Sequence, residues 1–406
     1  MEKYIDKDLE NELKRIRRKI HSKAEVGFEL KNTRRIVTEE LESLGCTVKS
    51  VGDGCIYTVI EGEKAGKCLL MRADMDALPI REQTEFDFAS KNGNMHACGH
   101  DMHTAMLIGC AKILTRAKNE LCGSVKLMFQ PAEELLLGCA DAVKAGILED
   151  PAPDFAMFLH VLTGTHMKTG TAIVSGSGVC APAAMFFEIE IMGKSAHASQ
   201  VGASVDALAV GVGIVTAIDS ISARELGTGD CIITFGQMSS GTCANVISDR
   251  CVIKGCVRSY DKKTLEYVFK RITDIAECTA KAHRASALVL LKGAAPTLVS
   301  DAALSRKMFD ALSKHLDKDL VIDGEVLARQ SAARGKRISQ GSEDFAFVSH
   351  KIPTVMIGLC AGNFEDGYTY PLHNPKTAFD EQALMVGAKC YAATAMEILR
   401  QESERY

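Results

Sequence analysis

The sequence predicts an α/β fold: a mostly parallel sheet between helix layers, carrying an inserted α+β domain. Two observations support the larger part. Short runs that are apolar on both faces, among them LLMRAD, VKLMFQ, FAMFLHV and TVMIGL, alternate with segments of helical period, as strands covered on both sides do. Residues able to do chemistry gather where those runs end, the usual place for a site in an open α/β sheet. A third observation marks the insertion. From about residue 182 to 294 the rhythm becomes strand, helix, strand, strand, helix, strand, the split β-α-β order of a ferredoxin-like domain. The expected organisation is a larger domain of residues 1–181 and 295–406 and a smaller one of residues 182–294, with Pro182 and Pro296 near the hinges.

Taken in order, Leu9, Leu13, Ile16 and Ile20 recur at helical spacing and give an amphipathic helix ending near His21. A second helix, about 31–44, stops at Gly45, a suitable C-terminal cap. CTVKSVGDGCIYTVIEG and KCLLMRADMD are β-branched or apolar runs bounded by glycine, hence strands, and the second ends in Asp74 and Asp76. A helix over about 101–117 leads into a strand over 125–130 that breaks at Pro131, directly before Glu133 and Glu134. DFAMFLHV is a strand with His160 almost at its end, and TVMIGL is another, followed by a loop carrying His373. Inside the insertion, AMFFEIEIMG alternates as a half-exposed strand, then come a helix over 203–223, strands CIITFGQM and RCVIKGCVRSY, a helix over 262–285 and strand ALVLLKG. Helices over 303–316 and 381–400 complete the larger domain.

Composition excludes several classes. A chain of 406 residues, 47% hydrophobic, buries a sizeable core. A net charge of −4 with scattered Lys and Arg argues against nucleic-acid binding. The longest uncharged apolar run, Ala207 to Ile218, is too short to span a bilayer, and the N-terminus is too charged for a signal peptide. A soluble cytoplasmic protein is expected. The fifteen cysteines never approach closer than the five-residue step from Cys251 to Cys256, and no CxxC occurs. Zinc ribbons, iron–sulfur loops and a disulfide scaffold are therefore not expected, and most of the thiols read as small buried residues.

Cys98 stands apart, in MHACGHDMHTAM. A thiol and an imidazole separated by one glycine can face the same point, because Gly99 bends without a side chain in the way. A buried cysteine and a helix-capping His100 is the structural alternative for an isolated CxH. What shifts the balance is that Glu133, Glu134, His160 and His373 also fall at or just beyond strand ends. Asp74 and Asp76 read either as turn residues or as carboxylates orienting a metal-bound histidine.

RADMDALPI, MHACGHDMHTAM, QPAEE, LHV, GKSAHAS, SEDFAF and LHNPKTAFDEQAL, in this order, resemble the M20 metallopeptidase family, closest to its amidohydrolase branch of hippurate, N-acyl-amino-acid and auxin-conjugate hydrolases. The likeness runs from about His21 to Leu384. It implies a dinuclear metal centre in the α/β domain, a lid made by the insertion, and a homodimer or higher homo-oligomer formed through that lid. Carried over, Cys98, His100, Glu134, His160 and His373 are metal ligands and Glu133 is the general base. In this reading the Cys98 thiolate bridges two divalent ions, Glu134 and His373 complete one site, and His100 and His160 the other. Zinc suits mixed Cys, His and Glu ligation, with manganese, cobalt or nickel as alternatives.

His197, in GKSAHAS, resembles the family histidine that reaches the substrate, on its own or a neighbouring subunit. Asn245 and Arg258 are candidates for contacts to the substrate carboxylate or oxyanion, and His96 and His103 read as structural. Ser342, Glu343 and Asp344 are expected in a loop near the site. The chain departs from the family where LLLGCA follows QPAEE and in HASQVG, which bears on acyl selectivity rather than on the chemistry. The expected activity is hydrolysis of an N-acyl amino acid, acetyl, benzoyl or similar, with no nucleic-acid or membrane partner. A dipeptidase or N-acetyl-diaminopimelate deacetylase of the same fold, and a non-catalytic binding protein, are the alternatives. A thiol redox or metal-storage protein is disfavoured by the cysteine spacing.

Overall fold

Burial follows the periodicity from the first helix. Leu9, Leu13, Ile16 and Ile20 are buried on α1 (Leu9–His21), and Ile36, Val37 and Leu41 on α2 (Lys31–Glu42), each helix turning an apolar stripe inward. The computed structural model describes residues 1–226, 231–333 and 341–404. The chain continues through β1 (Lys49–Val51), β2 (Cys55–Glu61), β3 (Lys64–Asp74), α3 (His100–Arg116), β4 (Cys122–Gln130), α4 (Gly138–Lys144), β5 (Phe155–Leu162) and β6 (Ala172–Val174). Next come β7 (Gly178–Ala181), β8 (Ala183–Met192), β9 (Ala196–His197), α5 (Ala207–Arg224), β10 (Ile232–Ser240), β11 (Val246–Ile247), β12 (Arg250–Ser259), α6 (Lys262–Ala282), β13 (Ser286–Ala295) and β14 (Leu298–Ser300). The return leg holds α7 (Ala302–His315), β15 (Val321–Asp323), α8 (Gly324–Ala333), α9 (Ala346–Ser349), β16 (Thr354–Cys360) and α10 (Gln382–Ser403).

These elements fall into two units. The first takes in Met1–Cys180 and, among the described residues, 299–333 and 347–404; the second takes in Ala181–Leu298 and 341–346. Residues 341–346, expected with the larger domain, thus cluster with the second unit.

An eight-stranded sheet in the order β1-β2-β4-β3-β5-β16-β6-β15 forms the centre of the first unit. Its middle block, β4-β3-β5-β16, is parallel, while β1, β2 and β6 meet neighbours antiparallel. From β3 the chain passes through α3 to β4 on one side, then crosses to β5 on the other. The carboxyl ends of β3, β4 and β5 therefore surround a point where the strand order reverses, which opens a crevice. Helix α3 is buried from His100 to Leu114 and packs on α1, α10 and β3, consistent with its lack of a polar stripe.

β3 and β5 pair only as far as Arg72 and Phe158, and beyond that point the ladder ends. The buried Tyr391 hydroxyl fills the gap, donating to Arg72 O at 2.7 Å and accepting from Leu159 N at 3.0 Å. Near the opposite end of α10, the buried Glu402 accepts from Lys67 Nζ at 2.9 Å and from Lys307 Nζ. Hydrogen bonding from Lys307 above all, against the opposing pull of burial, holds its carboxyl down at about 2. A depressed carboxylate stabilises the fold above its unfolded value of about 4.3 and loses that contribution as pH falls through the folded value. Glu402→Gln is therefore expected to lower Tm at pH 7, with the gap to wild type closing between about pH 4.3 and 2. Thermal melts across that range test it, and a gap that does not change with pH would refute the ion-pair account.

The second unit is built on an antiparallel sheet, β10-β12-β8-β13. Helices α5 and α6 cover it through Val210, Ile214, Ile218 and Ile221 and through Leu265, Val268, Ile272 and Ala276. Asp206 and Asp261 cap the two helices by accepting from backbone amides in their first turns. Helix α5 runs 18 residues, past the uncharged run that the sequence marked, and is the one described helix long and apolar enough to cross a bilayer by length and composition.

Candidate metal centre

Five stretches of the first unit deliver the site, and each has a local reason for its position. Asp74 is the last residue of β3. Just past it, the Asp76 carboxylate accepts from Glu133 N at 3.0 Å and Glu134 N at 3.2 Å, pinning the turn after β4. Ala132, in the left-handed region at φ 55°, donates its N–H to Gly27 O at 3.1 Å. On β5, His160 Nδ1 donates to Val161 O at 2.8 Å, which leaves Nε2 as the lone-pair nitrogen, 3.5 Å from Cys98 Sγ. His373 is held at φ 64° with its N–H on Ala97 O at 2.9 Å, and its Nε2 stands 3.3 Å from Cys98 Sγ and 3.4 Å from Glu134 Oε1.

Gly99 joins Cys98 to α3 at φ 85°, and a Cβ there would lie 2.3 Å from Val161 Cγ2. The glycine is therefore required both by backbone conformation and by space. Gly99→Ala is expected to cost about 1–3 kcal/mol and to lower activity with it, because Cys98 and His100 flank the displaced atom. Urea unfolding and rate measured on the same variant test this; wild-type values for both would refute it.

Two groups of potential ligands share the Cys98 thiol, Cys98 with His100 and His160 and Cys98 with Glu134 and His373, and within each group the ligand atoms lie within 4.8 Å of one another. All five residues nominated from the sequence thus meet in one place. Glu133, beside Glu134, groups with His100. Cys98 and His100 stand on the turn into α3 rather than at a strand end, since residues 75–99 after β3 contain no strand. The donors fit divalent cations on a separate ground. Both ring nitrogens of His100 and Oε1 of Glu134 are buried without a hydrogen-bond partner, and buried polar atoms are seldom left so. A cation there would satisfy Glu134 Oε1 and the His100 Nε2 that lies 3.9 Å from it, while His100 Nδ1 faces Asp76 Oδ1 at 3.5 Å.

The electrostatics have the same origin. Burial pushes the Asp74 carboxyl up, but Arg72 at 2.7 Å, His100 and His103 outweigh it and hold Asp74 well below the usual range. Burial pulls His100 down, and the carboxylates of Asp74, Asp76 and Glu134 reverse this, raising it to about 10. Cys98 is pushed well above its ordinary value by burial first and then by Glu134, Glu133 and Asp74. The cluster is thus a nest of negative potential that a dication would neutralise, and a coordinating thiol loses its proton to such an ion. His103 is driven down to about 4 by burial. Its Nε2 accepts from Val161 N at 2.8 Å and its Nδ1 donates to Asp74 Oδ1 at 2.6 Å, so both nitrogens serve the scaffold. His96 is buried and pushed down to about 3, by burial first.

The remaining nominated residues belong to the second unit. His197 is exposed on β9, opposite Val246 of β11, with Nδ1 2.8 Å from Ser199 Oγ. Asn245 precedes β11, and its carbonyl accepts from Ala198 N at 3.0 Å. Arg258, on β12, donates to Ser342 Oγ at 3.1 Å, which puts the Ser342 segment in the second unit. Sequence reasoning passed over Arg72. This fully buried guanidinium fixes Asp74 and donates to Gln130 Oε1 at 3.0 Å, joining the ends of β3 and β4. Its signal was an arginine inside an apolar strand run, where an unpaired charge is not tolerated.

Comparison with known proteins agrees with this architecture. A model of peptidase family M20/M25/M40 matches residues 70–397. An N-acetylcysteine deacetylase of Bacillus subtilis is 31% identical over 97% of this chain and 98% of its own length. A thermostable carboxypeptidase of Saccharolobus solfataricus is 32% identical over 96% of both chains. The crystal structure of a dinuclear metal-binding M20 peptidase from Bacillus subtilis superposes with a TM-score of 0.70, at 28% identity over 97% of this chain and 99% of the other. With a family model spanning most of its length and close relatives covered almost end to end, this chain belongs to peptidase family M20/M25/M40, hydrolases of amide bonds.

Proposed function

We propose that the protein is a metal-dependent amidohydrolase that cleaves N-acyl amino acids to a carboxylic acid and a free amino acid. The observation that carries this reading is the pair of ligand groups sharing Cys98, with Glu133 beside them. Cys98, His100, Glu134, His160 and His373 would hold two divalent ions, zinc first by ligand type, with manganese, cobalt or nickel as alternatives. Such ions acidify water and polarise the scissile carbonyl. Glu133 takes a proton from the attacking water and passes it to the departing nitrogen as the C–N bond breaks. Asp74 and Asp76 hold the ligands and the glutamate turn in place. From the lid, His197 hydrogen-bonds the developing oxyanion, on its own or a partner subunit, and Asn245 and Arg258 contact the substrate carboxylate or the oxyanion.

The same reading takes the lid as the contact of a cytoplasmic homodimer. The exposed Ile232 and Met238 of edge strand β10 and Leu288 and Leu291 of edge strand β13 support that choice.

The N-acetylcysteine deacetylase among the relatives favours the N-acyl amino acid, whereas the carboxypeptidase favours a peptide. The test is kcat/KM for acetyl, benzoyl and indoleacetyl amino acids beside dipeptides, on protein of measured metal content. N-acyl amino acids are expected to be preferred, and cleavage of dipeptides alone would overturn the reading.

A further inference from the structure

Leu135 and Leu137 follow the glutamate pair directly and stand 42% and 36% exposed, whereas Leu136 between them is 3% exposed. The turn that presents them is tied down. Leu136 N donates to Glu133 O at 2.8 Å, Gly138 N donates to Ala132 O at 3.2 Å, and Asp76 holds the Glu133 and Glu134 amides. Ala132 and Leu136 both sit at positive φ, at 55° and 56°, a conformation that residues bearing a Cβ seldom adopt. Leu135 also lies close to Gly27, its Cδ1 3.1 Å from where a Cβ on that residue would be, and next to Gly27 Val26 is 36% exposed. A lone surface leucine means little. Here two apolar side chains are held outward by a strained, hydrogen-bonded turn that also carries the two glutamates.

We propose that Leu135 and Leu137 form an apolar wall that recognises the acyl half of the substrate and selects long, branched or aromatic acyl groups over acetyl. This rests on the N-acyl amino acid reading. In such a substrate the amino-acid half carries the charged carboxylate, and the acyl half is uncharged. Only an uncharged group gains by leaving water for leucine methyls.

The experiment measures kcat/KM for acetyl, butanoyl, hexanoyl and benzoyl derivatives of one amino acid, and for acetyl derivatives of alanine, leucine and phenylalanine. It uses the metal-loaded wild type, a Leu135→Ser/Leu137→Ser double variant and Leu135→Phe. In the wild type each added methylene is expected to raise kcat/KM about two- to fourfold. The hexanoyl-to-acetyl ratio should fall at least tenfold in the double variant, and Leu135→Phe should move the optimum to a shorter chain. Equal Tm values show that the exposed substitutions leave the fold intact. An unchanged ratio in both variants overturns the proposal, as does a change confined to the amino-acid series. If the wild type cleaves dipeptides and no acyl amino acid, the underlying reading fails, and this inference fails with it.

Discussion

Glu133→Gln is expected to lower kcat for an N-acyl amino acid roughly 10²- to 10⁴-fold while bound metal stays at the wild-type content. The amide of glutamine has nearly the shape of the carboxylate, and residue 133 keeps the backbone N–H that Asp76 accepts at 3.0 Å, so the turn and the neighbouring Glu134 should hold their places. What disappears is the carboxylate that takes the water's proton and gives it back, which raises the barrier by about 3–5 kcal/mol. Steady-state kinetics and elemental metal analysis on the same sample decide the matter. A rate within tenfold of wild type removes the general-base role, and a loss of metal would make Glu133 a ligand instead.

The largest loss of stability is expected from Asp101→Ala, at the start of α3. Asp101 is fully buried, accepts from Arg17 Nε at 2.8 Å and stands 2.9 Å from His21 Nδ1. Burial pushes its carboxyl up, but the Arg17 charge and the His21 hydrogen bond outweigh burial and hold it below its ordinary range. Alanine would leave the guanidinium of Arg17, itself 1% exposed, with Glu381 as its remaining carboxylate partner among the described residues. Removing one member of a buried ion pair costs about 3–5 kcal/mol. The sign follows from the depressed carboxyl: the difference is full near neutral pH and shrinks as Asp101 is protonated in acid. Urea unfolding at pH 7 measures it, and a loss below about 1 kcal/mol would show that the pair contributes little.

Much of this molecule was legible before any coordinates. Leu9, Leu13, Ile16 and Ile20 marked a helix because one face of it had to be apolar, and α1 spans Leu9–His21 with all four buried. VKLMFQ and FAMFLHV marked buried strands, and β4 and β5 are central in the sheet. Helix α4 was missed: in GCADAVK only Gly138, Cys139 and Ala142 are buried, and so short a stripe has no clear period. The polar scaffold was less legible still. Nothing local couples Arg72 to Gln130, or Tyr391 to Leu159, and those bonds exist because β3, β4, β5 and α10 meet at the point where the strands part.

By itself the sequence determined which side chains were chemically able to form a site, since residue type, glycine at position 99 and proximity to the ends of apolar runs are local properties. Which atoms meet was decided only in three dimensions. Cys98 and His373 lie 275 residues apart yet stand 3.3 Å from one another, and that distance depends on sheet order and on the positive-φ backbone at His373. The reason is physical: periodicity arises from neighbours a few residues away, whereas convergence of distant strand ends is set by the packing of the whole core.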